Sequence, residues 1–251
     1  MNRQVDTPPV PLMRPFPRGL GGVFVSVLCL VLCASVSCSR AQEPVIPVHE
    51  EPMHSLVLER LPVRVLDVQV PVGGTSLYHL HTDPIFYVAI DISEIDAQVL
   101  GEEWKRTKVS AWSPGSVAND LGHAEAPLIH RIRNVGDESF RLIAVTNSGP
   151  PAVLAGPEGE AALPGDLETE VEWFRQSRVT LAPGSVSGPI QSPFPVVVVQ
   201  VSPGRAEVAD GDGTSQALTG PGSFAAAEPG HDFELLNSGS QPVTLVVIEA
   251  R

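Results

Sequence analysis

Two histidines one residue apart carry the first chemical signal in this chain. His79 and His81 stand in YHLHTDP, behind the pair Gly73-Gly74 and ahead of the apolar run IFYVAI. Successive side chains of a β-strand alternate faces, so His79 and His81 project together. A metal ion is the simplest thing two such imidazoles share. Asp83 is the nearest carboxylate and falls on the same face if the strand stays regular, although Pro84 can end that regularity.

The elements that must hold these residues are strands. The chain has 251 residues with 22 Gly and 25 Pro, a density of breakers that few helices survive and many short strands tolerate. Hydrophobic residues make up 43%, enough for a core. In residues 58–70, LERLPVRVLDVQV, Leu66, Val68 and Val70 alternate with Asp67 and Gln69, the pattern of a half-buried strand. Further strands are expected over residues 75–81, 85–92, 107–112, 129–133 and 140–146. Residues 166–177 have the one apolar spacing near three to four, which predicts a short helix, with a strand as the alternative.

Charge and cysteine usage exclude several functions. The formal net charge is −13, with no basic cluster, so nucleic acid is set aside as a partner. Cys29, Cys33 and Cys38 all lie near the N-terminus. The remainder has no Cys nucleophile, thiolate ligand or disulfide.

The N-terminus reads as an export signal. Arg14 and Arg18 precede an apolar run over residues 20–36 that ends in small residues. Met13 offers an alternative start that gives a more ordinary signal length. Ser39-Arg40-Ala41 suits cleavage before Gln42, which releases the protein to the periplasm or outside the cell. Ser35-Val36-Ser37-Cys38 resembles a lipobox, with Cys38 as a lipid anchor. Loss of residues 1–41 removes four arginines and one aspartate and takes the charge from −13 to −16. Residues 42–54, rich in Pro and Glu, are expected to be a disordered tether, with His49 and His54 solvated.

The second half repeats the first. A shift of 111 residues lays Gly73 on Gly184 and Pro84 on Pro195. Pro114-Gly115-Ser116 then matches Pro221-Gly222-Ser223, and Asn134-x-Gly136 matches Asn237-x-Gly239. This predicts two β units, residues 55–147 and 177–251, joined by a linker over 148–176. In that register His79 falls on Ile190, His81 on Ser192 and His130 on Phe233. His231 stands alone in the second unit and is read as packed or solvated.

The first unit resembles the cupins. Gly74-x4-His79-x-His81 matches the start of their first motif. Pro127-x2-His130-x3-Asn134-x-Gly136, within PLIHRIRNVGD, matches their second. The resemblance implies an all-β chain with two double-stranded β-helix barrels of the jelly-roll type, a bicupin, following the cleaved signal. It implies metal ligands His79, His81 and His130, with Asp83 as a candidate fourth because Ile85 and Phe86 stand where the family has an acidic residue. The cofactor would be a divalent ion, Fe, Mn, Ni or Zn. His123, in NDLGHAEAP, sits near that site as a solvated loop residue or, alternatively, as a ligand or proton shuttle. Arg131 and Arg133 alternate with His130 and face away, as Tyr78 and Leu80 do from the paired histidines. Phe86 and Tyr87 take opposite faces, so one of them lines the barrel.

Three functions fit these residues. The first is an exported metal-dependent enzyme, an oxygenase or isomerase acting on a small organic substrate. The second is a barrel that binds a small ligand without turnover. The third is a structural protein. The strand FPVVVVQV reads as buried, although such faces also make cupin homodimer interfaces.

Overall fold

The computed structural model describes residues 43–152 and 163–251. The export signal, with its Met13 start, cleavage site and Cys38, lies outside the described residues, as does the middle of the expected linker.

The first barrel contains ten strands. They are β1 (Val45–Pro47), β2 (His54–Arg60), β3 (Val63–Val70), β4 (Tyr78–His81), β5 (Ile85–Asp91), β6 (Ile95–Val99), β7 (Lys105–Arg106), β8 (Val117–Asp120), β9 (Leu128–Asn134) and β10 (Phe140–Asn147). One sheet runs β1-β4-β9-β6-β7 and the other β2-β3-β10-β5-β8. The second barrel follows with β11 (Asp166–Glu170), β12 (Phe174–Leu181), β13 (Ile190–Gln191), β14 (Val196–Gln200), β15 (Ala206–Asp210), β16 (Ser215–Leu218), β17 (Phe224–Ala227), β18 (Asp232–Leu236) and β19 (Val243–Ala250). Its sheets run β11-β12-β19-β14-β17 and β13-β18-β15-β16. The chain is all-β in two jelly-roll barrels, as expected.

The alternation of side chains explains how the barrels meet. In β3, Leu66, Val68 and Val70 enter the first barrel, while Val63 and Val65 join a cluster outside it. In β5, Ile85 and Ala89 point in and Phe86, Val88 and Ile90 point out. The outer cluster continues with Phe174, Val197, Val199 and Ile248 of the second barrel. The Phe86 and Phe174 rings sit 5.6 Å apart at its centre. A sheet covered on both faces needs near-continuous apolar runs, which is why IFYVAI and VVVV do not alternate with polar residues. In β14, Val196 and Val198 fill the second barrel, and Val197 and Val199 face the first. Both faces of β14 are therefore covered within one chain, as a buried strand requires.

The repeat holds bond by bond. Gly73 and Gly184 both take the left-handed region, at φ 72° and 71°. Their N–H groups donate to the carbonyls of Asn134 and Asn237. Asn134 donates from Nδ2 to the carbonyls of Val70 and Glu138 and accepts at Oδ1 from Gly136 N–H. Asn237 makes the same three bonds with Leu181, Gln241 and Gly239. The shared Asn-x-Gly is a turn clamp in both barrels, and its buried amide has every partner it needs.

Two expectations are corrected. The stretch expected to be a tether, residues 42–54, contributes to the first barrel in its described part: β1 pairs in parallel with β4, and a 3₁₀ turn, Val48–Glu50, leads into β2. The ladder to β4 gives this Pro- and Glu-rich segment an order its composition does not suggest. The predicted helix over 166–177, inside the expected linker, is instead β11 and the start of β12, because β12 completes its hydrogen bonds against β19.

Candidate metal centre

β4 and β9 are antiparallel neighbours, and their register sets His79 directly opposite His130. The alternation in β4 adds His81 to the same side. One ligand nitrogen from each of His79, His81 and His130 lies within 4.8 Å of the other two, and among the described residues no other three His, Cys, Asp or Glu groups meet in this way. His79 is 0% exposed and His81 4%. The pair singled out from spacing thus converges with the third histidine that the resemblance implies, although 49 positions separate His81 from His130.

The hydrogen bonds decide which nitrogens are available. His79 donates from Nδ1 to the Leu77 carbonyl, at 3.0 Å. Its Nε2 then carries a lone pair, lies buried and has no partner. A buried polar atom left unpaired is costly, and native interiors avoid it. Nε2 of His81 and Nε2 of His130 are 3.0 Å apart. Two ligands at right angles on an ion with ~2.1 Å bonds stand ~3 Å apart, so this separation suits a shared ion. Burial holds all three rings neutral, the state in which imidazole ligates. Desolvation and the other histidines take His79 down to about 2 and His130 to about 4, and push His81 well below the usual range. Three imidazoles with an orphaned lone pair fit a borderline cation such as Fe(II), Ni(II) or Zn(II).

Asp83 is not brought to this centre. β4 ends at His81 and β5 begins at Ile85, so Asp83 sits in the Pro84 turn between them. It faces Arg64 at 3.7 Å and accepts a bond from Thr82. The carboxylate near the histidines is Glu51, which sequence reasoning missed. Glu51 is buried and accepts from Nδ1 of His54 at 2.5 Å, from Met53 N–H at 2.7 Å and from Leu77 N–H at 3.1 Å. Burial pushes the Glu51 carboxyl up. The bonds from His54 and the two backbone N–H groups outweigh that, and its pKa stays below the ordinary value. Leu77 is thereby held at both ends, its N–H by Glu51 and its carbonyl by His79, which fixes the tautomer and tilt of the His79 ring.

His54 and His123 also depart from expectation. Both were read as solvated, yet each is 5% exposed. The His54 ring lies 4.4 Å from that of His79, and the His123 ring 4.9 Å from that of His81. β2 pairs His54 with Val68, an inward position of β3, which carries His54 into the barrel. A 3₁₀ turn, Gly122–Ala124, tucks His123 inward, with Asp120 at 3.5 Å. The signal that could have found His54 is its spacing from Glu51, which gives a buried imidazole a carboxylate one turn away.

Other residues lie where alternation puts them. Arg131 and Arg133 point outward: Arg131 stacks over Tyr78 at 4.4 Å, and Arg133 stacks over Trp104 and pairs with Asp96. Tyr87, and not Phe86, enters the barrel, where it lines a cavity with His54, His81 and His130. Burial and the nearby Asp120 charge raise its phenol above the ordinary range, so it is a hydrogen-bond donor at neutral pH. In the second barrel, β13 and β18 pair Ile190 with Phe233, as β4 and β9 pair His79 with His130. Ser192 bonds to Glu249, and His231 is exposed.

No family model and no curated protein matches the sequence. Solved structures do match. AerE from Microcystis aeruginosa is 13% identical over 77% of this chain and 90% of its own, at TM-score 0.58. A cupin 2 conserved barrel domain protein from Leptotrichia buccalis is 12% identical over 78% and 87%, at TM-score 0.49. Oxalate decarboxylase from Bacillus subtilis, a protein with Mn(II) centres, is 13% identical over 75% and 68%, at TM-score 0.48. Likeness at this identity concerns the fold alone, and the fold of this chain is that of a cupin, present twice.

Proposed function

We propose that the first barrel binds one divalent metal ion through His79, His81 and His130 and serves a metal-dependent reaction on a small organic substrate held in the adjoining cavity. The observation that carries this reading is the buried, unpartnered Nε2 of His79, aimed among two further neutral imidazoles. A histidine kept only for packing would have both nitrogens paired or be replaced by an apolar residue, as Ile190 stands at the equivalent place. Fe(II), Ni(II) or Zn(II) suits the all-imidazole set better than Mn(II), which favours carboxylate oxygens. Bound there with open positions, such an ion supplies Lewis-acid or oxygen-activating chemistry, and an isomerase and an oxygenase both fit. The chain's own residues do the rest. Leu77 and Glu51 orient His79, Tyr87 offers a hydrogen bond inside the cavity, and the apolar wall excludes water. The apolar run at residues 20–36 supports an exported, periplasmic or secreted protein.

The test is metal content by elemental mass spectrometry on untagged protein beginning at Gln42. Near one equivalent of Fe, Ni or Zn, lost in the His79→Ala/His81→Ala variant, supports the reading. No metal after reconstitution with each ion removes it and leaves a barrel that binds a ligand without turnover.

A further inference from the structure

The wall of the cavity beside the three histidines restricts what can enter it. Sixteen residues line a space of about 250 Å³, and none of them is Asp, Glu, Lys or Arg. Leu66, Val68, Ile95, Ile132, Phe140 and Leu142 make up much of its apolar surface. The few polar groups are largely committed. Thr107 spends its hydroxyl on the Ile95 carbonyl at 2.8 Å, and Nδ1 of His54 is held by Glu51. Apart from the imidazoles, the second nitrogen of His54 included, the Tyr87 hydroxyl and the Trp112 indole N–H are the polar groups that remain among the lining residues. The space is at the small end of ligand sites, which run to roughly 300–1,000 Å³ for drug-sized molecules.

We propose that the substrate is a compact amphiphile: one oxygen-bearing head that reaches the metal, on an uncharged, apolar body about the size of a single ring. This rests on the metal reading above and adds the substrate class. The chemistry excludes the alternatives. Three neutral ligands leave the charge of a dication uncompensated, so one anionic or polarisable oxygen is welcome at that end. A second charge meets no Asp, Glu, Lys or Arg on the wall, and burying it unpaired is strongly unfavourable. A sugar or polyol strands several hydroxyls against Leu, Ile and Phe side chains with almost no partners. Small dicarboxylates, sugars and phosphorylated metabolites are therefore the wrong class, and a hydrophobic monocarboxylate, enol or phenol is the right one.

Three ring compounds separate these features. Cyclohexanecarboxylate carries one head on an apolar ring. trans-Cyclohexane-1,4-dicarboxylate adds a second charge, and glucuronate keeps the head on a hydroxylated ring. Isothermal titration calorimetry is run on protein of measured metal content and, in parallel, on chelated protein with cyclohexanol. The expected result is that cyclohexanecarboxylate binds the loaded protein roughly tenfold or more tighter than either analogue, and that cyclohexanol still binds the chelated protein. Equal or tighter binding of glucuronate or the dicarboxylate overturns the proposal, as does a loaded protein that binds none of the three. If the protein takes no metal, the metal reading fails by itself, and cyclohexanol binding still reports whether the cavity accepts an apolar body. Ala97→Trp, which fills the cavity from β6, should abolish cyclohexanecarboxylate binding at unchanged metal content. Val109→Trp fills it from the 3₁₀ turn Lys108–Ala111, which stands where the sequence predicts a strand, should the first variant fail to fold. Retained affinity in a folded, filled variant places the ligand elsewhere and refutes the assignment.

Discussion

His79→Ile should reverse sign with metal occupancy. In the metal-free protein the wild-type side chain buries Nε2 without a partner, which costs about 1–3 kcal/mol. Ile removes that atom and forfeits the bond from Nδ1 to the Leu77 carbonyl, worth about 1 kcal/mol. The chelated variant should therefore be as stable as chelated wild type, or up to about 2 kcal/mol more stable. The chain supplies the precedent, since Ile190 fills the matching position and is 5% exposed. With metal the order inverts. An ion at a hundred times its Kd stabilises the wild type by about 2.7 kcal/mol. For a body of this size that is about 5–10 °C in Tm. The variant should gain almost nothing from the same ion. Calorimetric melts of both proteins, with chelator and with excess Zn(II) or Fe(II), give the four values required. A wild-type Tm indifferent to metal would refute the site. A chelated variant several kcal/mol below chelated wild type would show that His79 is a packing residue whose Nε2 carries no ligand role.

Three further outcomes follow from the same contacts. The folded pKa values of His79 and His130 lie below the ordinary value near 6.5, so the unfolded chain binds more protons under mild acid. Stability of the chelated protein is then full above pH ~6.5 and falls as pH drops toward 4, by up to about 1.4 kcal/mol per pH unit for each such histidine. Chemical denaturation at pH 7, 6 and 5 should show this, with a shallower slope in His79→Ile. Glu51→Gln removes the carboxylate that clamps Leu77 and His54, and it should weaken metal affinity about 10–100-fold in competition with a chromophoric chelator, whereas Asp83→Asn should leave it unchanged. Phe86→Ala opens the cluster shared by the two barrels and should cost about 3–5 kcal/mol in urea denaturation without altering metal stoichiometry.

Much of the site was legible because it depends on alternation. His79 and His81 share a face by the geometry of any strand, and the outward turn of Arg131, Arg133 and Tyr78 follows from the same rule. The repeat was legible because its marks are turn residues whose backbone chemistry is local: a glycine at positive φ, or an Asn amide clamping the next turn. What escaped is non-local. Residues 42–54 have the composition of a tether, and the order of Val45–Pro47 within them comes from pairing with β4 some thirty residues on. Glu51 and His54 look solvent-seeking one at a time, and burial becomes tolerable only because each is the other's partner. Asp83 failed for the opposite reason: the strand rule was carried two residues past the end of β4, into the Pro84 turn.

The second barrel's loss of ligands bears on how the first keeps them. An interior containing three neutral histidines, an unpaired nitrogen and an apolar cavity is poorly packed by the standards of protein cores, where voids and orphaned polar atoms both reduce stability. The second barrel has the reverse character. Leu181, Ile190, Val208, Leu218, Phe233 and Leu245 form one buried cluster where the first barrel has its histidines and space. Its outer sheet packs Phe174, Val197, Val199 and Ile248 against the outer face of β3, β5 and β10, the strands whose inner faces bear Leu66, Val68, Tyr87 and Leu142 on the cavity wall. This side of the wall is thus backed by a solid core. Support of this kind lets a barrel keep a cavity and a buried cluster of histidines without collapsing on them, since close-packed neighbours resist the relaxation that would fill the void. On the proposed reading, two barrels with one histidine triad divide the labour: the filled copy supplies rigidity, and the open copy keeps the histidines and the cavity.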